Sequence, residues 1–142
     1  MNTFEDVIDM FLNLISEVKY LEYNLEELKL ELGIKARMVI ARTSVLKKVK
    51  FDRETQELTR ELNDMEALIL AHGLIIYWLS PKIYNYEFLE TQIASKDVTI
   101  FSNSGLLAEM RALKNNSEME YNSLVADYDF TLAYPEEEEG EE

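Results

Sequence analysis

His72 is the single histidine in the chain, and it sits among Leu68, Ile69, Ala71, Ile75 and Ile76 on a run with helical spacing. An imidazole in that setting serves either as a general base or ligand, or as a core or interface ring on an apolar helix. A metal site would need further ligands of its own kind, and the chain has no cysteine and no second histidine. The neighbouring residues offer no nucleophile for it to activate, so the packing role is the expectation. Carboxylates are abundant, but pairs such as Glu26/Glu27 and Glu118/Glu120 fall on polar helix faces. General acid–base work needs a shifted pKa, which a solvated carboxylate lacks. No glycine-rich phosphate loop, Walker motif, HExxH or nucleophile elbow occurs in the chain. The expectation is a protein that is not an enzyme and holds no cofactor or metal.

The elements that carry these residues follow from composition and periodicity. The 142 residues suit one domain with a real core. Four glycines and two prolines leave few breaks, so long elements are expected. The N-terminal residues lack the basic-then-apolar pattern of a signal peptide. The most apolar window, residues 67–79, is interrupted by His72 and Gly73 and falls short of the ~20 residues a spanning helix needs. These features predict a soluble, intracellular type of protein.

Net charge is −14, which argues against a general grip on nucleic acid, since that grip comes mainly from Lys and Arg displacing counterions. It permits basic partners, mimicry of DNA, or a surface past which DNA slides. The charge is blocked rather than spread. Residues 1–31 hold eight acids, among them Glu5, Asp6, Asp9, Glu26 and Glu27, against Lys19 and Lys29. Residues 35–53 hold seven bases, Lys35, Arg37, Arg42, Lys47, Lys48, Lys50 and Arg53, against Asp52. Six glutamates follow Pro135. The basic block reads in three ways: an ordinary solvated face, a nucleic-acid contact, or one half of a subunit interface. Opposed blocks on one chain are what a head-to-tail contact needs, and such contacts close into rings or run on as filaments.

Helical periodicity dominates the chain. Thr3 and Asp6 form a capping pattern before the stripe Phe4, Val7, Ile8, Phe11, Leu14, Ile15 and Val18. A turn is expected near Tyr20 and Tyr23. Asn24 then caps a second helix through Leu25, Leu28, Leu32, Ala36, Val39, Ile40 and Leu46, in which Gly33 costs ~1 kcal/mol relative to Ala. Residues 49–59 are polar and aperiodic and read as a loop. Asn63, with Glu66 three residues on, caps a third helix that is apolar nearly all round and so is central. Pro81 is expected to kink or end it, although the pattern resumes through Ile83, Tyr84, Phe88, Leu89 and Ile93. A loop passes Val98, Ile100 and Phe101. A last helix, capped by Ser102 or Ser104, runs through Leu106, Leu107, Met110, Leu113, Met119, Leu124 and Val125, with a soft spot at residues 115–117. Tyr128, Asp129, Phe130, Thr131, Leu132, Ala133 and Tyr134 alternate like a strand, and no other segment reads clearly as its partner. That segment either adds to a neighbour's sheet or lies on its own domain, and the glutamate-rich end is expected to be disordered. The fold expectation is all-α: a small bundle of four to five helices with a kinked central apolar helix and an extended C-terminal arm. Its parts are a helical domain (1–127), the arm (128–134) and an acidic tail (135–142).

Three stretches together resemble the small helical head–tail connector proteins (adaptor or neck type) of tailed bacteriophages. They are Phe4-Glu5-Asp6-Val7-Ile8-Asp9-Met10-Phe11-Leu12; then Leu62-Asn63-Asp64-Met65-Glu66-Ala67-Leu68-Ile69-Leu70-Ala71 with Tyr77-Trp78-Leu79-Ser80-Pro81-Lys82-Ile83; and finally Ser95-Lys96-Asp97 with Phe101-Ser102-Asn103 and Tyr128-Asp129-Phe130. The resemblance covers most of the chain to about residue 130 and includes no catalytic motif. It implies an oligomeric ring, usually twelve-fold, in the virion neck, built from subunits made in the host cytoplasm. The ring would sit beneath the portal protein, reach it through the C-terminal arm, and receive the next neck or tail protein below. DNA would pass through without specific binding, and no membrane is implied. The glutamate tail has no counterpart in that pattern. A different expectation is a small acidic inhibitor or DNA mimic that occupies a basic partner's site.

Overall fold

In a computed structural model, residues 1–18, 21–95 and 103–133 are described. The chain is all-α in its main elements: α1 (Phe4–Ile15), α2 (Leu25–Arg42), α3 (Asp64–Ser95) and α4 (Asn103–Ala133). The cap residues act as their types dictate. Thr3 and Asp6 form a reciprocal capping box at α1. Asn24 Oδ1 accepts from the Glu27 N–H at α2. Asn63 and Glu66 form a second reciprocal pair at α3, with Glu66 N–H donating to Asn63 Oδ1 at 2.8 Å and Asn63 N–H to Glu66 Oε1 at 3.0 Å.

The centre is α3. Its residues 69–75 are buried without a break, because α1, α2 and α4 each lie against it. Phe11 and Trp78 meet edge to face at 5.2 Å, and Lys82 Nζ lies 4.7 Å from the centre of the Trp78 ring. The stretch Asp64–Leu89 is long and apolar enough to cross a membrane by length and composition, but 61% of its apolar 18-residue window is buried inside the bundle. Its apolar character is that of a core helix. The helix passes through Pro81 as one element. Proline removes the bond that the Tyr77 carbonyl would have received, and Ser80 Oγ donates to the Ile76 carbonyl at 2.6 Å one residue earlier. α4 runs antiparallel to α3, as the pairs Glu66/Tyr128, His72/Ser117 and Glu87/Arg111 require.

Four expectations change. The second helix, expected to run through Leu46, ends at Arg42, because Thr43 is extended and Ser44–Leu46 form a separate 3-10 turn. The stretch read as a loop contains a two-stranded hairpin, β1 (Phe51–Asp52) with β2 (Glu57–Leu58), in antiparallel register Phe51 to Leu58. Asp52 organises its turn by accepting from the Glu54 N–H, and Gln56 adopts φ 60°. The supposed soft spot at 115–117 is unbroken helix with Ser117 buried at 1% exposure. The strand-like segment is also helical: 128–133 are the last turns of α4. Tyr128 rests against the core there, and burial on α3 outweighs the alternation of residue types. Tyr134, the acidic tail, Tyr20, the loop past Val98 and Ser102 lie outside the described residues.

Two glycines set close approaches. A Cβ on Gly33 would lie 2.9 Å from the Phe51 ring, so this residue admits the hairpin against α2. A Cβ on Gly73 would lie 2.6 Å from Val39 Cγ1, so it sets the distance between α2 and α3. Gly73→Ala should therefore destabilise by about 1–2 kcal/mol, overpacking exceeding the ~1 kcal/mol gained in helix propensity. In urea unfolding, the double variant Gly73→Ala/Val39→Ala should lose less than the two single variants summed.

Candidate functional site

The most elaborate polar cluster among the described residues surrounds Glu66, which is 4% exposed. Arg60 reaches it bidentately, Nη1 to Oε1 at 3.1 Å and Nη2 to Oε2 at 2.9 Å. Tyr128 OH donates to Oε2 at 3.2 Å and itself accepts from Asn63 Nδ2 at 2.9 Å. Burial pushes the Glu66 carboxyl up, but the hydrogen bonds from Arg60, the Asn63 N–H and Tyr128, with the Arg60 charge, outweigh it and hold the pKa below its ordinary value. A carboxylate already accepting four donors is a poor base and has no room for a substrate. Its work is to tie the hairpin exit, the start of α3 and the end of α4 together. Nearby, Asn2 pairs with Leu62 through both backbone bonds and donates from Nδ2 to Asp64.

His72 is buried, and its Nδ1 lies 3.2 Å from Ser117 Oγ. Burial lowers its pKa, with Glu120 pulling weakly the other way. The ring is a neutral core group, and no group of three or more His, Cys, Asp or Glu suited to a metal occurs among the described residues. Thr43 completes the interior polar set, donating to the Val39 carbonyl at 2.7 Å and sharing a short hydrogen bond with Tyr121 of α4.

The charge blocks lie elsewhere. Glu5, Asp6 and Asp9 are on α1, where Glu5 pairs with Lys29 at 3.7 Å. Glu26 and Glu27, with Glu31, occupy the N-terminal half of α2, and Lys35, Arg37 and Arg42 its C-terminal half. Lys47 and Lys48 are exposed just beyond it. One shallow groove brings Glu5, Glu26, Lys29 and Leu30 together, and another gathers Arg37, Ala41, Lys47 and Lys50. The two blocks thus adjoin along one helix. Among the described residues none of Glu26, Glu27, Glu31, Lys35, Arg37, Arg42 or Lys47 makes an ion pair.

The expected C-terminal contact residues divide. Tyr128 is turned into the Glu66 cluster, Thr131 Oγ1 donates to the Asp127 carbonyl, and Asp129, Phe130 and Leu132 are exposed, the last two at 65% and 59%. Sequence reasoning missed the exposed apolar residues Leu30, Ile34 and Met38. Their four-residue spacing was visible, but only packing showed that α2 buries Leu28, Leu32, Ala36 and Val39 instead. It also missed Arg60, whose partner is set by the fold.

No protein-family model matches the chain, and comparisons with curated proteins and with solved structures give no match.

Tyr128→Phe leaves Asn63 and Glu66 each short of a partner and should cost about 1–2 kcal/mol in urea unfolding with an unchanged m-value. Because His72 has a lowered folded pKa, its contribution is present above pH 6.5 and is lost as the pH falls below it. The unfolded chain takes up that proton first. Stability followed from pH 7.5 to 5.5 should decline in the native protein and decline less in His72→Gln.

Proposed function

We propose that this chain is a structural, non-catalytic subunit of the head–tail connector type. It forms a ring in the virion neck, with the portal protein at one end and the next neck or tail protein at the other. The observation that carries this reading is the distribution of exposed apolar side chains on the α3–α4 hairpin. Phe130 and Leu132 mark one end, and Tyr84, Phe88 and Leu89 lie on the far half of α3. At 1.5 Å per residue a 32-residue helix spans about 48 Å, enough to touch two neighbours on opposite sides. The interior polar groups are already bonded to one another, which suits a rigid spacer. Pro81 lies between the bundle and the far half of α3, and a bend there would let the far half tilt towards a neighbour. In this reading the portal-binding element is the exposed end of the α4 helix, with Asp129, Phe130 and Leu132. An acidic net charge suits a channel past which DNA must move without being held.

Leu132→Asp should keep the fold and abolish binding to the portal ring in co-sedimentation, while Phe88→Asp should spare portal binding and abolish recruitment of the next neck protein. Absence of the chain from purified tailed virions would refute the connector reading. Salt-sensitive competition with DNA for a basic partner would instead select the acidic inhibitor.

A further inference from the structure

α2 has two apolar faces. One, with Leu28, Leu32, Ala36 and Val39, is buried in the bundle. The other carries Leu30, Ile34 and Met38 at 60%, 59% and 43% exposure, four residues apart and hence in one line along the helix. Three large apolar side chains in line, with Ala41 exposed beside the end of the row, are more than scattered surface residues. The charges beside the line are polarised along it, acids in the N-terminal half and bases in the C-terminal half.

We infer that this face of α2 binds the same face of a second copy of the chain, antiparallel, about a two-fold axis at Ile34. A partner lying alongside the whole of α2 matches it when polarised in the reverse sense, and a second copy turned end for end supplies that polarity. With Ile34 on the axis, Leu30 meets Met38 of the second copy, and the apolar line is continuous through the contact. At 100° per residue Glu31, Lys35 and Arg42 fall about 60–100° to one side of Ile34, and Glu27 about 20° to the same side. A two-fold of this kind sets each flank against itself, so Glu27 comes level with Arg42 of the second copy and Glu31 lies near its Lys35. On the other flank the groove with Glu5, Glu26 and Leu30 faces the groove of Arg37, Lys47 and Lys50. Glu26, Glu27 and Glu31 then each have a basic residue of the second copy close to their level, each such pair occurring twice, while the two Lys35 lie across the axis from each other with Glu31 of the opposite copy beside each. A parallel copy in register would set like charges together along the whole helix, and a staggered head-to-tail copy would match opposite charges over only one half of each helix per contact.

The contact is one helix wide, so it belongs with small, transient interfaces rather than obligate ones. The free protein should exchange between monomer and dimer at micromolar concentration, and added salt should weaken the dimer. This inference does not depend on the connector reading, since it concerns the free chain rather than its place in a particle.

Sedimentation equilibrium of the full chain tests it, together with cysteine cross-linking in a protein that has no cysteine of its own. A dimer is expected, weakened about tenfold or more by Ile34→Asp, with circular dichroism unchanged because the side chain is exposed. Glu27→Lys and Arg42→Glu should each weaken it, and the two together in one chain should restore it. Ile34→Cys should oxidise to a covalent dimer. Leu30→Cys and Met38→Cys should link rapidly only when mixed, since in an antiparallel pair like positions lie about 12 Å apart along the axis, beyond the 4.4–6.8 Å that a disulfide spans. A strict monomer at hundreds of micromolar, growth into higher oligomers through α2, or equal self-linking at 30, 34 and 38 would each overturn the proposal. A particle-bound chain that stays monomeric in solution would do so without touching the connector reading.

Discussion

A helix that is apolar on every side must be covered on every side, and α3 imposes that requirement on the rest of the chain. Residues 69–75 leave no polar face to give to water. At roughly 25 cal/mol per Å² of apolar surface, leaving any flank open would cost more than a small domain can spare. Three helices therefore lie against α3, and the other packing choices follow from how closely they must approach. Gly73 brings α2 into contact, Trp78 receives Phe11 and Lys82, and the antiparallel α4 closes the remaining side.

Covering α3 also brings polar groups inside, and each has a partner close by. Glu66 caps its own helix and at the same time binds Arg60 and Tyr128, so a single carboxylate joins three segments far apart in sequence. His72 and Ser117 meet between α3 and α4, and Thr43 and Tyr121 join the end of α2 to α4. A half-satisfied network would cost more than an apolar core. The polar side chains of the interior are spent on one another.

What remains outside is therefore where partners can be read. The bundle leaves apolar side chains on α2, on the far half of α3 and at the end of α4, while its unpaired charges are sorted by sign along α2. In the proposed assembly these features act in different ways. In the proposed dimer the α2 face meets its own copy reversed, whereas in the proposed connector the two unlike ends of the α3–α4 hairpin would meet unlike neighbours.

The helices, and the starts of the first three, were legible in the sequence because caps and periodicity are local. Thr3 with Asp6, Asn24, and Asn63 with Glu66 each act within one turn, and the unbroken apolar run of α3 marks the centre of any fold it joins. The charge blocks were equally plain. Three things were not. The hairpin has two-residue strands whose only local sign is Asp52 before its turn. The end of α4 alternates like a strand, yet Tyr128 is held helical by Asn63 and Glu66, more than sixty residues away. The choice between the two apolar faces of α2 could be made only by packing, since Leu28 and Leu30 are chemically alike and differ only in which side meets α3. Local chemistry decided where the helices start, and tertiary contact decided which of their faces stay exposed to partners.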